Sequence, residues 1–209
     1  PYTFLPEIRK TLNKTKISIG AQDVGSENGG SFTGEVSVKM LKDTGCSYVI
    51  VGHSERRKLG ETDEVVSQKV YLSSKIGLHT LLCIGENTRD DHGQFWHDLK
   101  DQLTITLLKI NRPLLKKIVI AYEPVWAIGQ SEAMSPAVLH ETVIFIRKVL
   151  YDLYGRTSAD EVKIIYGGSV DTKNAKELVE KGTVDGVLVG RDSLKAKDFV
   201  KIVCEVESI

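Results

Sequence analysis

The chain has 209 residues, 41% hydrophobic and 27% charged, a length and balance that suit a globular α/β protein and exclude a disordered or low-complexity polymer. Lysine plus arginine and aspartate plus glutamate stand at 28 each, so no net field directs it to nucleic acid or to an acidic membrane surface. No apolar run approaches the ~18 residues of a membrane-spanning helix, and Cys46, Cys83 and Cys204, never in a Cys-x-x-Cys pair, read as reduced thiols of a cytoplasmic protein.

Short β-rich runs are expected over residues 17–21, 48–51, 79–83, 118–121, 163–166 and 186–189. They are nearly continuous apolar runs rather than alternations, the pattern of parallel strands covered on both faces. Helices fall between them. Asp63 and Glu64 suit the first turn of one, and Gly77 ends it. Phe95, Leu99, Leu103 and Leu107 give the next a buried stripe. Ser135 reads as an N-cap with Pro136 at the first helical position, and Leu139, Val143, Ile146 and Leu150 form the buried face. Ala175, Leu178 and Val179 repeat the theme, with Gly182 closing it. One helix followed by six β-α units, with no linker-like stretch, predicts a single α/β domain over residues 1–209. Periodicity alone leaves a partial barrel and an open doubly wound sheet both standing.

In either architecture chemistry gathers at the carboxyl ends of the strands. Those ends carry Gln22-Asp23, then Gly52-His53-Ser54-Glu55, then Gly85-Glu86, Glu123-Pro124, Gly167-Gly168-Ser169 and Gly190-Arg191. A histidine, glutamates and glycine-bearing turns on one rim suit a site with an anion cradle of backbone N–H groups. No Gly-x-Gly-x-x-Gly follows a strand and no phosphate-loop lysine motif occurs, so a nucleotide is the weaker reading of that anion. Gly52-His53-Ser54 imitates the start of a nucleophile elbow, but Arg56 replaces its closing glycine, and His140, the one histidine in the last third of the chain, lies inside an expected helix. Asp90, Asp91, His92 and His97 have no spacing suited to a metal.

IVGHSERR at 50–57, LCIGE at 82–86, AYEPVWAIG at 121–129, IYGGSV at 165–170 and VDGVLVG at 184–190 together resemble the triosephosphate isomerase family, in order and over nearly the whole chain. The resemblance implies a TIM (β/α)8-barrel fold and an isomerase that interconverts dihydroxyacetone phosphate and glyceraldehyde 3-phosphate with no metal and no organic cofactor. Glu123 matches the proton-shuttling base, His53 the neutral imidazole that polarises the carbonyl, and Ser54 and Glu55 the residues supporting it. Gly129, Ser169, Gly190 and the backbone of Arg191 match the phosphate-holding positions. Gln130, Ser131, Glu132, Ala133 and Met134 match the lid. Gln22 and the loop around Thr33 resemble the segment that reaches a second subunit, implying a homodimer.

The match departs from the family pattern in three places. The family's first strand, first helix and second strand have no counterpart in these residues, nor has the asparagine-and-lysine turn whose lysine faces the substrate's charge. About six βα units are therefore expected, and loss of one such preorganised donor typically costs ~10²–10³ in rate. On that ground catalysis by these residues alone is expected to be severely weakened. The second reading is then a family member acting as a phosphate-ligand binder or interaction protein. Ser131 and Glu132 stand where the lid usually has glycine and lysine, and Arg191 where a second glycine is usual. The Arg191 side chain is expected either to point away or to add a phosphate contact.

Overall fold

A computed structural model describes residues 1–129 and 133–209 of the chain. Gln130, Ser131 and Glu132, the expected lid tip, lie outside the described residues. In chain order the elements are α1 (Leu5–Leu12), β1 (Gly20–Ala21), α2 (Val38–Asp43), β2 (Tyr48–Val51), α3 (Ser54–Lys58), α4 (Asp63–Lys75) and β3 (His79–Ile84). They continue with α5 (Gln94–Thr106), α6 (Arg112–Leu115), β4 (Ile118–Tyr122), α7 (Pro136–Tyr154), α8 (Arg156–Asp160), β5 (Lys163–Tyr166), α9 (Ala175–Gly182) and α10 (Ala196–Glu207). Among the described residues no helix is long and apolar enough to cross a membrane.

The chain gathers into two compact units, residues 1–83 with 104–119 and residues 84–103 with 120–209. In the first, β1, β2 and β3 pair in parallel, with Gly20 opposite Tyr48 and Val49 opposite Thr80. Thr80 N–H donates to the Lys117 carbonyl at 2.7 Å just before β4. In the second, Glu123 N–H donates to the Ile84 carbonyl and Gly167 N–H to the Tyr122 carbonyl, both at 2.8 Å. The strands are thus ordered β1-β2-β3-β4-β5, an α/β topology of incomplete (β/α)-barrel type with five strands among the described residues.

The sequence expects a sixth strand at 186–189, where the structure has only a parallel bridge between Tyr166 and Val187. Tyr166 N–H donates to the Gly186 carbonyl and Leu188 N–H to the Tyr166 carbonyl, while just before them the Asp185 carboxylate takes the Ile164 N–H at 2.8 Å, a side chain substituting for a backbone acceptor in the ladder. The first expected strand is also shorter, beginning at Gly20, because Ile17 is 63% exposed and has no core face to join.

Helix starts follow the expected chemistry. Thr62 and Ser135 accept the Val65 and Val138 N–H groups, each at 3.4 Å, and Pro136 sits where its missing N–H is not needed. Leu139, Val143, Ile146 and Leu150 are all buried. The end of α9 differs from expectation. Gly182 lies inside the helix, and Thr183 takes the left-handed position at φ 55°. Gly182 is there for packing, since a Cβ on it would meet Leu139 Cδ2 at 2.6 Å. Gly182→Ala is therefore expected to lower unfolding free energy by about 1–3 kcal/mol through overpacking, read as a shift in the denaturant midpoint. An unchanged midpoint would remove the packing explanation.

Unit 1 also buries an ion cluster. Lys69, 3% exposed, pairs with Asp23 at 2.8 Å and with Glu61, and Arg56 bridges the same two carboxylates at 3.0 and 2.8 Å. Two acids facing two bases pair the charges, and that attraction offsets the cost of desolvating each of them. Burial, with Asp23 nearby, pushes the Tyr2 hydroxyl well above the ordinary tyrosine range.

Candidate functional site

The expected site residues divide between the units and are described within each. In the first unit Gly52, at φ +74°, turns β2 into α3. A Cβ there would lie 2.9 Å from Val66 Cγ1, so the turn admits only glycine without displacement. Arg57 fixes the turn from beneath. Its Nε donates to the Gly52 carbonyl at 2.7 Å, its Nη2 to the Cys83 carbonyl at 3.3 Å, and Nη1 pairs with Asp63.

His53 caps α3. Its Nδ1 accepts the Glu55 N–H at 3.3 Å, so the proton of the neutral ring resides on Nε2. The Glu55 carboxylate also lies 3.8 Å from Nδ1, but its side chain is 84% exposed. The backbone donor is nearer and fixed, and it decides the tautomer. Ser54 is buried beside it. Gln22 and Thr33 are both exposed. Thr33 sits in a loop closed at its base by Gly25 N–H to the Val36 carbonyl at 2.8 Å, and Phe32 beside it is 45% exposed.

In the second unit Glu123 follows β4 and is only 2% exposed. Two glycines make its place. A Cβ on Gly85 would fall 1.9 Å from the Glu123 carbonyl oxygen, and one on Gly167 would fall 2.7 Å from Glu123 Cγ and 3.2 Å from Oε1. The backbone of Glu123 therefore crosses Gly85, and its carboxylate arm lies over Gly167. This is a close-approach requirement at both positions, independent of φ.

The segment after Glu123 is held by a network the sequence reading did not assign. Glu86, 1% exposed, accepts from the Tyr122 hydroxyl at 2.9 and 3.1 Å, from the Trp126 indole N–H at 2.9 Å and from Arg89 Nε at 2.9 Å. Arg89 extends it to Thr142 Oγ1 at 2.6 Å and stacks over the Phe95 ring at 4.6 Å. Burial, reinforced by the Glu86 charge, holds the Tyr122 hydroxyl well above the ordinary tyrosine range, so it stays a donor through neutral pH. The sequence signal was Glu86 directly after a buried strand, with Arg89 three residues on. The other partners of Glu86, Tyr122 and Trp126, are 36 and 40 positions away and follow no local rule.

Ser169, Met134, Gly129 and Arg191 make their contacts in this unit on the two sides of residues 130–132. Before them, Ser169 Oγ donates to the Ala127 carbonyl at 2.9 Å, and Arg191 Nη2 reaches the Gly129 carbonyl at 3.4 Å. After them, Met134 N–H donates to the Tyr166 hydroxyl at 3.2 Å, and Met134 is buried while Ala133 is half-buried. Gly190 is exposed and leads into a short 3₁₀ turn over Arg191–Leu194. The YGGS run thus holds Ala127 on one side and Met134 on the other. The Arg191 side chain points toward the Gly129 carbonyl.

Comparison with known proteins places these motifs in context. The family model for triosephosphate isomerase matches residues 1–206. A triosephosphate isomerase of Trichlorobacter lovleyi is 44% identical over 204 residues, spanning 97% of this chain and 81% of its own. One from Alkaliphilus metalliredigens is 42% identical over 205 residues, 97% and 83% of the two chains. One from Clostridium botulinum is 41% identical over 204 residues, 97% and 82%.

Proposed function

The chain belongs to the triosephosphate isomerase family, and from that isomerase membership we propose that it interconverts dihydroxyacetone phosphate and D-glyceraldehyde 3-phosphate through an enediolate. The observation that carries the reading is the buried Glu123 at the end of β4, with Gly85 and Gly167 making room for its backbone and its carboxylate arm. Its carboxylate takes a proton from C1 of dihydroxyacetone phosphate. The C1–H electron pair forms the C1=C2 bond as the carbonyl pair moves onto O2. His53 supports O2 through its Nε2–H, a donor aimed at charge that develops in the transition state. The hydroxyl proton passes from O1 to O2 as the aldehyde forms at C1, and protonated Glu123 returns its proton to C2. The sum is redox-neutral and needs no cofactor.

Gly129, Ser169, Gly190 and the backbone of Arg191 hold the phosphate in this reading, and residues 130–134 close over it to exclude water. Ser54 and Glu55 support His53. The exposed loop with Thr33 and Phe32, together with Gln22, serves a homodimer, and the protein works in the cytoplasm without nucleic acid or membrane partners. Thr33→Asp is expected to shift sedimentation toward monomer, and an unshifted dimer would exclude this loop.

A coupled assay against triose, pentose and hexose phosphates tests the reaction. Turnover confined to the triose phosphates is expected. Binding of triose phosphate with no turnover would instead favour a non-catalytic phosphate-ligand binder.

A further inference from the structure

Arg191 carries a charge that the surrounding structure leaves largely unused. Its one hydrogen bond among the described residues is the 3.4 Å contact from Nη2 to the Gly129 carbonyl, near the upper limit for such a bond and cheap to give up. The adjacent Asp192 does not neutralise it, since that carboxylate lies 3.7 Å from Lys195 Nζ. The turn that carries Arg191 is nonetheless fixed, with Ser193 Oγ donating to the Gly190 carbonyl at 2.6 Å. A guanidinium offers five N–H groups in a rigid fork matched to phosphate oxygens. One of them is engaged weakly here, at the entry of the lid, in an exposed position open to a ligand.

We infer that the Arg191 side chain is a specificity-determining residue for the anionic end of the substrate, its fork spanning the Gly129 carbonyl and a phosphate dianion. This rests on the proposed function in that the phosphate-holding turn at 190–191 belongs to that reading. It deepens the reading by adding a side-chain cation where backbone N–H groups alone were assigned.

The test is calorimetric titration of inorganic phosphate into the wild-type chain and the Arg191→Gln, Arg191→Gly and Arg191→Lys variants, at low and high ionic strength. Loss of one exposed charge-assisted contact is expected to weaken phosphate roughly three- to tenfold in Arg191→Gln and Arg191→Gly. Arg191→Lys keeps the charge without the fork and should fall between. The gap should narrow as salt rises. For triose phosphate, KM should rise more than kcat falls, a split that a merely structural role would not produce.

Equal phosphate affinity in all four proteins, or a wild type that takes up no phosphate, would overturn the inference. So would a weakening that tracks a loss of thermal stability and is equal in the lysine variant. If none of the proteins turns over triose phosphate, the proposed reaction fails while the phosphate titration still decides the role of Arg191.

Discussion

Glu123→Gln is expected to lower kcat on dihydroxyacetone phosphate by about 10²–10⁴-fold, the span that a positioned general base contributes. The substitution keeps the size of the side chain that lies over Gly167, so secondary structure and the thermal midpoint should hold while the rate collapses. Glu123→Asp keeps the carboxylate and draws it back by one methylene. A retreat of about 1 Å from a near-attack position typically costs on the order of 10²-fold, so this variant should also be slow. The two together separate basicity from reach. If Glu123→Gln retained a tenth or more of the parental rate, another group would be moving the proton. Because each variant is compared with its own parent, the result does not depend on how fast the parent is.

Glu86→Ala should be among the most destabilising single changes in the second unit, by about 3–5 kcal/mol. Glu86 is 1% exposed and receives the Tyr122 hydroxyl, the Trp126 indole N–H and the Arg89 guanidinium together. Its removal leaves the half-buried Arg89, held against Phe95 and Thr142, without the neutralising carboxylate, and two further donors without their acceptor. Glu86→Gln keeps an acceptor oxygen and should cost less. Arg89→Met in the Glu86→Ala background should recover part of the loss, since it takes away the uncompensated charge. Equilibrium unfolding in urea reads all three. A shift below about 1 kcal/mol for Glu86→Ala would mean that the network is ornamental. Trp126 links this stability to the proposed chemistry, for it sits three residues after Glu123 and three before Gly129.

The sequence showed in advance what is local. Ser135-Pro136 gave the start of α7, the stripe of Leu139, Val143, Ile146 and Leu150 gave its buried face, and strand ends led to His53 and Glu123. Other features stayed hidden for physical reasons. Gly182 looked like a helix stop because glycine usually is one, yet packing against Leu139 claimed it and left Thr183 the left-handed turn. The run at 186–189 has strand composition, but pairing is decided by distant partners: it makes a single bridge to Tyr166, and the Ile164 N–H goes to the Asp185 carboxylate rather than to a backbone carbonyl. The direction of the Arg191 side chain is set by the Gly129 carbonyl, a partner 62 residues away. Likewise Gly85 and Gly167 read as generic turn residues until the nearness of Glu123 gave each a specific cause.

The central claim is that Glu123 moves a carbon-bound proton through an enediolate that exchanges with solvent. The direct measurement is conversion of dihydroxyacetone phosphate in heavy water, with the glyceraldehyde 3-phosphate trapped as it forms and its C2 position read by NMR. The account predicts deuterium at C2 of product made by the wild-type chain, and almost no product from Glu123→Gln in the same time. Product that carries the original hydrogen intact in every molecule, formed at the same rate by both proteins, would contradict it.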